Sequence, residues 1–126
     1  MTITYELERM QHYLKYLRLI SGWSERQLGE YLGVTRQAIN NIECSRQKLN
    51  KMHYLAILML FLTRFDSFED SDEKVKYRRL IYLFLDAPRS KSFDKRIEKV
   101  KQEIDEILIE EGPFNGLERI RKEVLV

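Results

Sequence analysis

The stretch Trp23-Ser-Glu-Arg-Gln-Leu-Gly-Glu-Tyr-Leu-Gly-Val-Thr-Arg-Gln-Ala-Ile-Asn-Asn-Ile-Glu43 decides the fold of this 126-residue chain. Ser24 is an N-cap residue, and Gln27 three positions on completes a capping box. Trp23 and Leu28 flank the cap as a hydrophobic staple. The helix so started runs from Glu25 to Leu32 and stops at Gly33, a residue free to take the left-handed C-cap conformation. Thr35 caps a second helix that ends near Glu43, with Val34 and Ile39 as its staple. Leu28, Leu32, Ile39 and Ile42 face inward and lock the pair. Two helices that cross steeply need a small residue at the crossing, and Gly29 supplies it. A glycine inside a helix costs about 1 kcal/mol relative to alanine, so its presence points to packing that outweighs propensity. Helices of two to three turns do not stand alone in water; neighbours must hold them.

Outward from this pair the pattern stays helical. Leu7, Met10, Leu14, Leu17 and Ile20 recur at spacings of three and four, which predicts an amphipathic helix over about Tyr5–Ile20, stopped by Ser21-Gly22. A fourth helix is expected after Asn50, running through Leu55, Ile57, Leu58, Met59, Leu60 and Leu62. Being apolar on almost every side, it is expected to be buried between other elements. The acidic stretch Asp66–Asp72 is the candidate boundary between residues 1–66 and a helical C-terminal region, 67–126. Beyond it, Ser71 is the expected cap of a fifth helix through Leu80, Ile81 and Phe84 that stops before Pro88, with Asp72 and Glu73 suiting its dipole. A sixth helix over about Phe93–Glu111 carries Phe93, Ile97, Val100, Ile104 and Ile107 in a heptad-like seam. Gly112-Pro113 ends it, and Asn115 with Glu118 opens a short last helix carrying Leu117, Ile120 and Val124. With only 5 Gly and 2 Pro against 44% hydrophobic and 33% charged residues, the composition agrees with an all-α protein that buries a core.

Charge and cysteine usage narrow the function. The net charge of +2 is unevenly shared: residues 1–66 hold nine Lys/Arg against six Asp/Glu, and the remainder thirteen against fourteen. The positive excess therefore lies beside the two short helices, where Arg26, Arg36, Arg46, Lys48 and Lys51 gather, the placement a polyanion partner requires. Cys44 is the single cysteine; it excludes an internal disulfide framework and agrees with a reducing cytosol. There is no signal-like N-terminus, and the most apolar run, Leu55–Leu62, is far shorter than the roughly 20 residues a membrane span needs, so a cytoplasmic protein without membrane contact is expected. His12 and His53 are isolated, which gives no metal site, and no nucleophile–base constellation or phosphate-cradling loop is present, which gives no enzyme and no cofactor.

On the quoted residues the sequence resembles the phage-repressor-like (Xre, Cro/cI-type) helix-turn-helix family, over about residues 5–65 and most specifically from Arg18 to Glu43. The resemblance implies a five-helix bundle that presents the Thr35–Glu43 helix to the DNA major groove, and a pairing of Arg18 with Glu43. Residues 67–126 carry no such resemblance. On this reading Ser24, Leu28, Gly29, Gly33, Ile39 and Ile42 with the Arg18/Glu43 pair shape the motif. Arg36, Gln37, Asn40 and Asn41, on the face not used for Ile39 and Ile42, read bases. Arg26, Gln27, Thr35, Ser45, Arg46, Lys48 and Lys51 contact phosphates. Three positions depart from the family: Glu25 where glutamine is common, Cys44-Ser45 where x-Gly usually follows the final glutamate, and Tyr31 where a polar residue is usual.

The seam Ile97, Val100, Ile104 and Ile107 is either internal core or a dimer contact, and the apolar surplus of the back half favours dimerisation. The expectation is thus a transcriptional regulator, a repressor rather than an activator, binding double-stranded DNA as a homodimer on a palindromic operator. The alternative is a protein-interaction adaptor or antitoxin-like component that holds a partner with its C-terminal helices. A small-molecule sensor has only Tyr77, Tyr82, Phe84 and Phe93 in its favour.

Overall fold

The computed structural model describes residues 3–125, and these form six helices: α1 Ile3–Ile20, α2 Glu25–Leu32, α3 Arg36–Glu43, α4 Lys51–Ser67, α5 Ser71–Leu85 and α6 Lys91–Val124. No strand occurs among the described residues. The starts of α2 and α3 follow their side-chain chemistry: Gln27 N donates to Ser24 Oγ (3.0 Å), Ser24 N donates to Gln27 Oε1 (2.8 Å), and Ala38 N donates to Thr35 Oγ1 (3.0 Å). Gly33 ends α2 with φ 73°, the left-handed turn read from its sequence.

Helix α1 is the wall against which the rest is built, packing on α3, α4, α5 and α6. Met10, Leu14, Leu17 and Ile20 are buried on it as the periodicity requires. Its polar residues are tied in as well. Buried Arg9 donates Nε to the Phe84 carbonyl (2.7 Å) and Nη2 to that of Leu83 (3.3 Å), satisfying two acceptors at the C-terminal end of α5. Tyr16 donates to both carboxylate oxygens of Asp105 on α6 (3.0 Å each), and its ring stacks at 6.3 Å on Phe84. Burial, with Asp105 second, pushes the Tyr16 phenol up to about 12. Ser21, the residue after α1, and Tyr77 on α5 share a hydrogen bond of 2.6 Å. The buried side chains on both sides of the acidic Asp66–Asp72 stretch form one cluster. Four helices lie in the first 67 residues, and the helix that completes a bundle of five around α1 is α5.

Four expectations change. Helix α4 is covered on one side only: Tyr54, Ile57 and Phe61 are buried, whereas Met52, Leu55, Met59 and Leu62 face solvent. Asp70, not Ser71, caps α5; its carboxylate accepts from Asp72 N (2.8 Å) and Glu73 N (3.0 Å), and a charged acceptor outcompetes the adjacent hydroxyl. Ser90 caps α6, through Phe93 N at 3.2 Å, so that helix starts two residues early. It breaks at Gly112 (φ 80°, ψ 173°), but the helix resumes at Pro113 rather than at an Asn115 cap, because proline needs no N–H partner in a first turn.

The α6 seam is also spent within the chain. Ile97, Ile104 and Ile107 are buried in the common core and Val100 packs against it, because α1 and α5 supply the apolar face that a second copy would otherwise provide.

Candidate nucleic-acid interface

The geometry of the α2–α3 pair rests on two devices. The first is Gly29. A Cβ placed there would lie 2.7 Å from the Val34 carbonyl oxygen and 3.3 Å from the Thr35 carbonyl, so the close approach is to the backbone of the turn itself rather than to a crossing helix. The second is the ion pair of Arg18 with Glu43. Arg18 donates Nε to Glu43 Oε2 (2.6 Å) and Nη2 to Glu43 Oε1 (3.1 Å), and its Nη1 reaches the Trp23 carbonyl (2.9 Å). Burial pushes the Glu43 carboxyl up, Arg18 pulls it back, and neighbouring Glu25 adds to the rise. One residue of α1 thereby fixes the end of α3 and the entry to α2 together.

Helix α3 buries Ile39 and Ile42 and turns its other face outward. Arg36 and Gln37 are exposed there, and Asn40 and Asn41 are half-buried beside them. These four side chains do not stand free. Arg36 Nε lies 4.0 Å from Glu25 Oε1, Asn40 Nδ2 donates to Glu25 Oε2 (3.1 Å), and Gln37 Nε2 donates to Asn41 Oδ1 (3.1 Å). Glu25, the departure from the family pattern, is only 20% exposed because it faces α3.

The residues read as phosphate contacts divide. Lys48 and Lys51 are exposed with no carboxylate within ion-pair distance among the described residues, and they border α3 on the loop to α4. Arg26 is exposed but pairs with Glu30 one turn on (3.4 Å). Gln27 and Thr35 use their side chains as caps. Ser45 holds the position where glycine was expected and takes the left-handed conformation anyway, with φ 62°. Arg46 folds back onto α3, donating to Asn40 and Asn41. Tyr31 is 55% exposed and meets Trp23 edge-on at 5.6 Å, extending the staple outward.

Sequence reasoning missed Gln11. Its Nε2 donates to the carbonyls of Ile42 (2.9 Å) and Gln47 (2.8 Å), and its Oε1 accepts from Leu49 N (3.0 Å). That one amide side chain shapes the loop carrying Ser45, Arg46 and Lys48. Nothing marks it in the sequence beyond a polar residue beside core Met10.

With this geometry in place, comparison with known proteins adds one match. The helix-turn-helix family model fits residues 14–51, from the middle of α1 to the first residue of α4. The match is to the helix-turn-helix family, in keeping with the resemblance to the Xre, Cro/cI type, and the C-terminal half is unmatched. No curated protein and no solved structure matches the chain. Among the described residues no helix is long and apolar enough to cross a membrane.

Proposed function

We propose that this protein is a cytoplasmic transcriptional regulator that binds double-stranded DNA sequence-specifically, acting as a homodimeric repressor on a palindromic operator. The observation that carries the reading is the outward face of α3: Arg36, Gln37 and Asn41 are presented on a helix locked by the Arg18–Glu43 pair, with Lys48 and Lys51 uncountered beside it. Arginine, glutamine and asparagine match base edges of the major groove, and exposed lysines neutralise phosphates. Repression follows by analogy, since a bound regulator excludes polymerase from an overlapping site.

The test is duplex binding across a salt series. Affinity falls steeply with salt, the slope losing about 0.9 for each phosphate contact removed, as in Lys48→Ala or Lys51→Ala. Full binding by an Arg36→Ala/Gln37→Ala double variant sinks the assignment of α3 as the reading helix.

Paired half-sites call for two copies. With the α6 seam occupied, the stripe Met52, Leu55, Met59 and Leu62 on α4, spaced three, four and three, is the helix-pairing face left to a second copy. Met59→Glu then yields a monomer in sedimentation while the fold persists. A second reading, a protein adaptor, draws on the same exposed apolar face and the adjoining groove of Leu58, Phe65, Ile81, Tyr82 and Leu85. It predicts co-purification with a different chain and no salt-dependent duplex binding.

A further inference from the structure

The outward face of α3 belongs to a hydrogen-bond chain whose direction is forced by chemistry. At one end Arg46 donates Nη2 to Asn40 Oδ1 (2.5 Å) and Nε to Asn41 Oδ1 (3.1 Å). A guanidinium only donates, so both amide oxygens must face it. At the other end Asn40 Nδ2 donates to Glu25 Oε2 (3.1 Å), and a carboxylate only accepts. Asn41 Oδ1 receives a second donor from Gln37 Nε2 (3.1 Å). Neither asparagine can turn its amide over without facing donor to donor or acceptor to acceptor.

We infer that Arg46 and Glu25 are positioning residues, which fix the amide polarity of the recognition helix and thereby choose the base edges that Gln37 and Asn41 can meet. This rests on the DNA-binding reading above and reassigns Arg46 from phosphate affinity to sequence specificity. The groups left over define the preference. Gln37 keeps its oxygen and one N–H, an acceptor beside a donor, which complements the N6 amino group and N7 of adenine. Asn41, its oxygen saturated by two donors, keeps only amide hydrogens and meets an acceptor edge, guanine O6/N7 or thymine O4. Asn40, tied at both ends, orients its neighbours.

The experiment selects bound sites from a duplex library randomised across the half-site, using the full chain and its Arg46→Lys, Arg46→Ala and Glu25→Gln variants, each checked for helical content by circular dichroism. Arg46→Lys keeps the charge but loses the planar fork. Base preference at the Gln37 and Asn41 positions is expected to fall roughly tenfold in both Arg46 variants. The salt slope of Arg46→Ala is expected to match the parent. Glu25→Gln leaves Arg46 in place but replaces the acceptor-only anchor of Asn40 Nδ2 and loosens the 4.0 Å pair with Arg36; it lowers the same preference by weakening the hold on Asn40, and so tests the chain from its other end should an Arg46 variant misfold. The inference is overturned if Arg46→Ala weakens all sequences alike and lowers the salt slope by about 0.9, the signature of a phosphate contact. Unchanged preference in Glu25→Gln and Arg46→Lys overturns it equally while leaving DNA binding intact. Absence of salt-dependent binding by the parent chain overturns both readings.

Discussion

Arg18 and Glu43, 25 residues apart in the chain, meet through two hydrogen bonds in a pocket that leaves their side chains 8% and 6% exposed. A charge buried this far is tolerated because its partner is buried with it. Removing one alone is the costly change: Arg18→Met is expected to lose about 3–5 kcal/mol, whereas Glu43→Gln, which keeps an acceptor for the guanidinium, loses less. Replacing both by methionine is expected to recover much of that loss, since no unpaired charge remains. Urea unfolding of the parent, Arg18→Met, Glu43→Met and the double-methionine variant measures the coupling, and simple additivity would show that the pair does not act as a unit.

Gly29→Ala sets two effects against each other. Helix propensity gains about 1 kcal/mol. The new methyl meets the Val34 carbonyl at 2.7 Å, and that carbonyl is backbone in the three-residue turn Gly33–Thr35, with little freedom to move. Overpacking of this kind costs about 1–3 kcal/mol, so the net is destabilising. Thermal unfolding reads the stability, and weaker duplex binding would follow from the displaced α3.

Ser45 predicts the opposite sign. At φ 62° it sits where a residue with a Cβ is strained by about 1–2 kcal/mol. Ser45→Gly relieves that strain and returns part of it as unfolded-chain entropy, for a net gain of about 0.5–1 kcal/mol. The melting temperature, read by thermal unfolding, is expected to rise by a few degrees.

Alkaline stability depends on Tyr16. Its folded-state value, pushed up to about 12, lies above the ordinary 10.0, so the stability it contributes is complete below pH 10 and is lost as the pH rises toward 12. Tyr77, also raised by burial, adds loss of the same sign. Tyr16→Phe therefore shows a shallower decline of unfolding free energy between pH 10 and 12 than the parent. A parallel decline in the two proteins would assign the effect elsewhere.

The helix-turn-helix was legible because each of its signals is local. Caps, staples and the Gly33 stop act over four or five residues, and the structure forms Ser24, Gln27, Thr35 and Gly33 into those contacts. Where two adjacent residues could do one job, as Asp70 and Ser71 can, a cap preference shared by both did not separate them, and the stronger, charged acceptor took the place. The α6 seam shows a different limit: a period of three and four specifies an apolar partner without saying whether it is α1 of the same chain or a helix of another. The all-round apolar pattern of α4 suffered the same ambiguity, since Met52, Leu55, Met59 and Leu62 look identical in sequence whether or not a neighbour covers them. Arg46 and Gln11 were illegible as bracing groups because their partners lie on other elements, and a polar side chain does not announce what it will bond.

The shared wall formed by α1 has a consequence for any shortened form of the protein. A chain ending at Asp66 would keep every residue of the helix-turn-helix. Yet it would strip Arg9 of the two carbonyls that accept its hydrogen bonds, Ser21 of Tyr77, and Tyr13 and Tyr16 of Phe84. Proteolysis or premature termination in the α4–α5 connection would thus release an unfolding fragment rather than an unregulated DNA binder. The gene product would be inactivated as a whole, with no constitutively acting remnant.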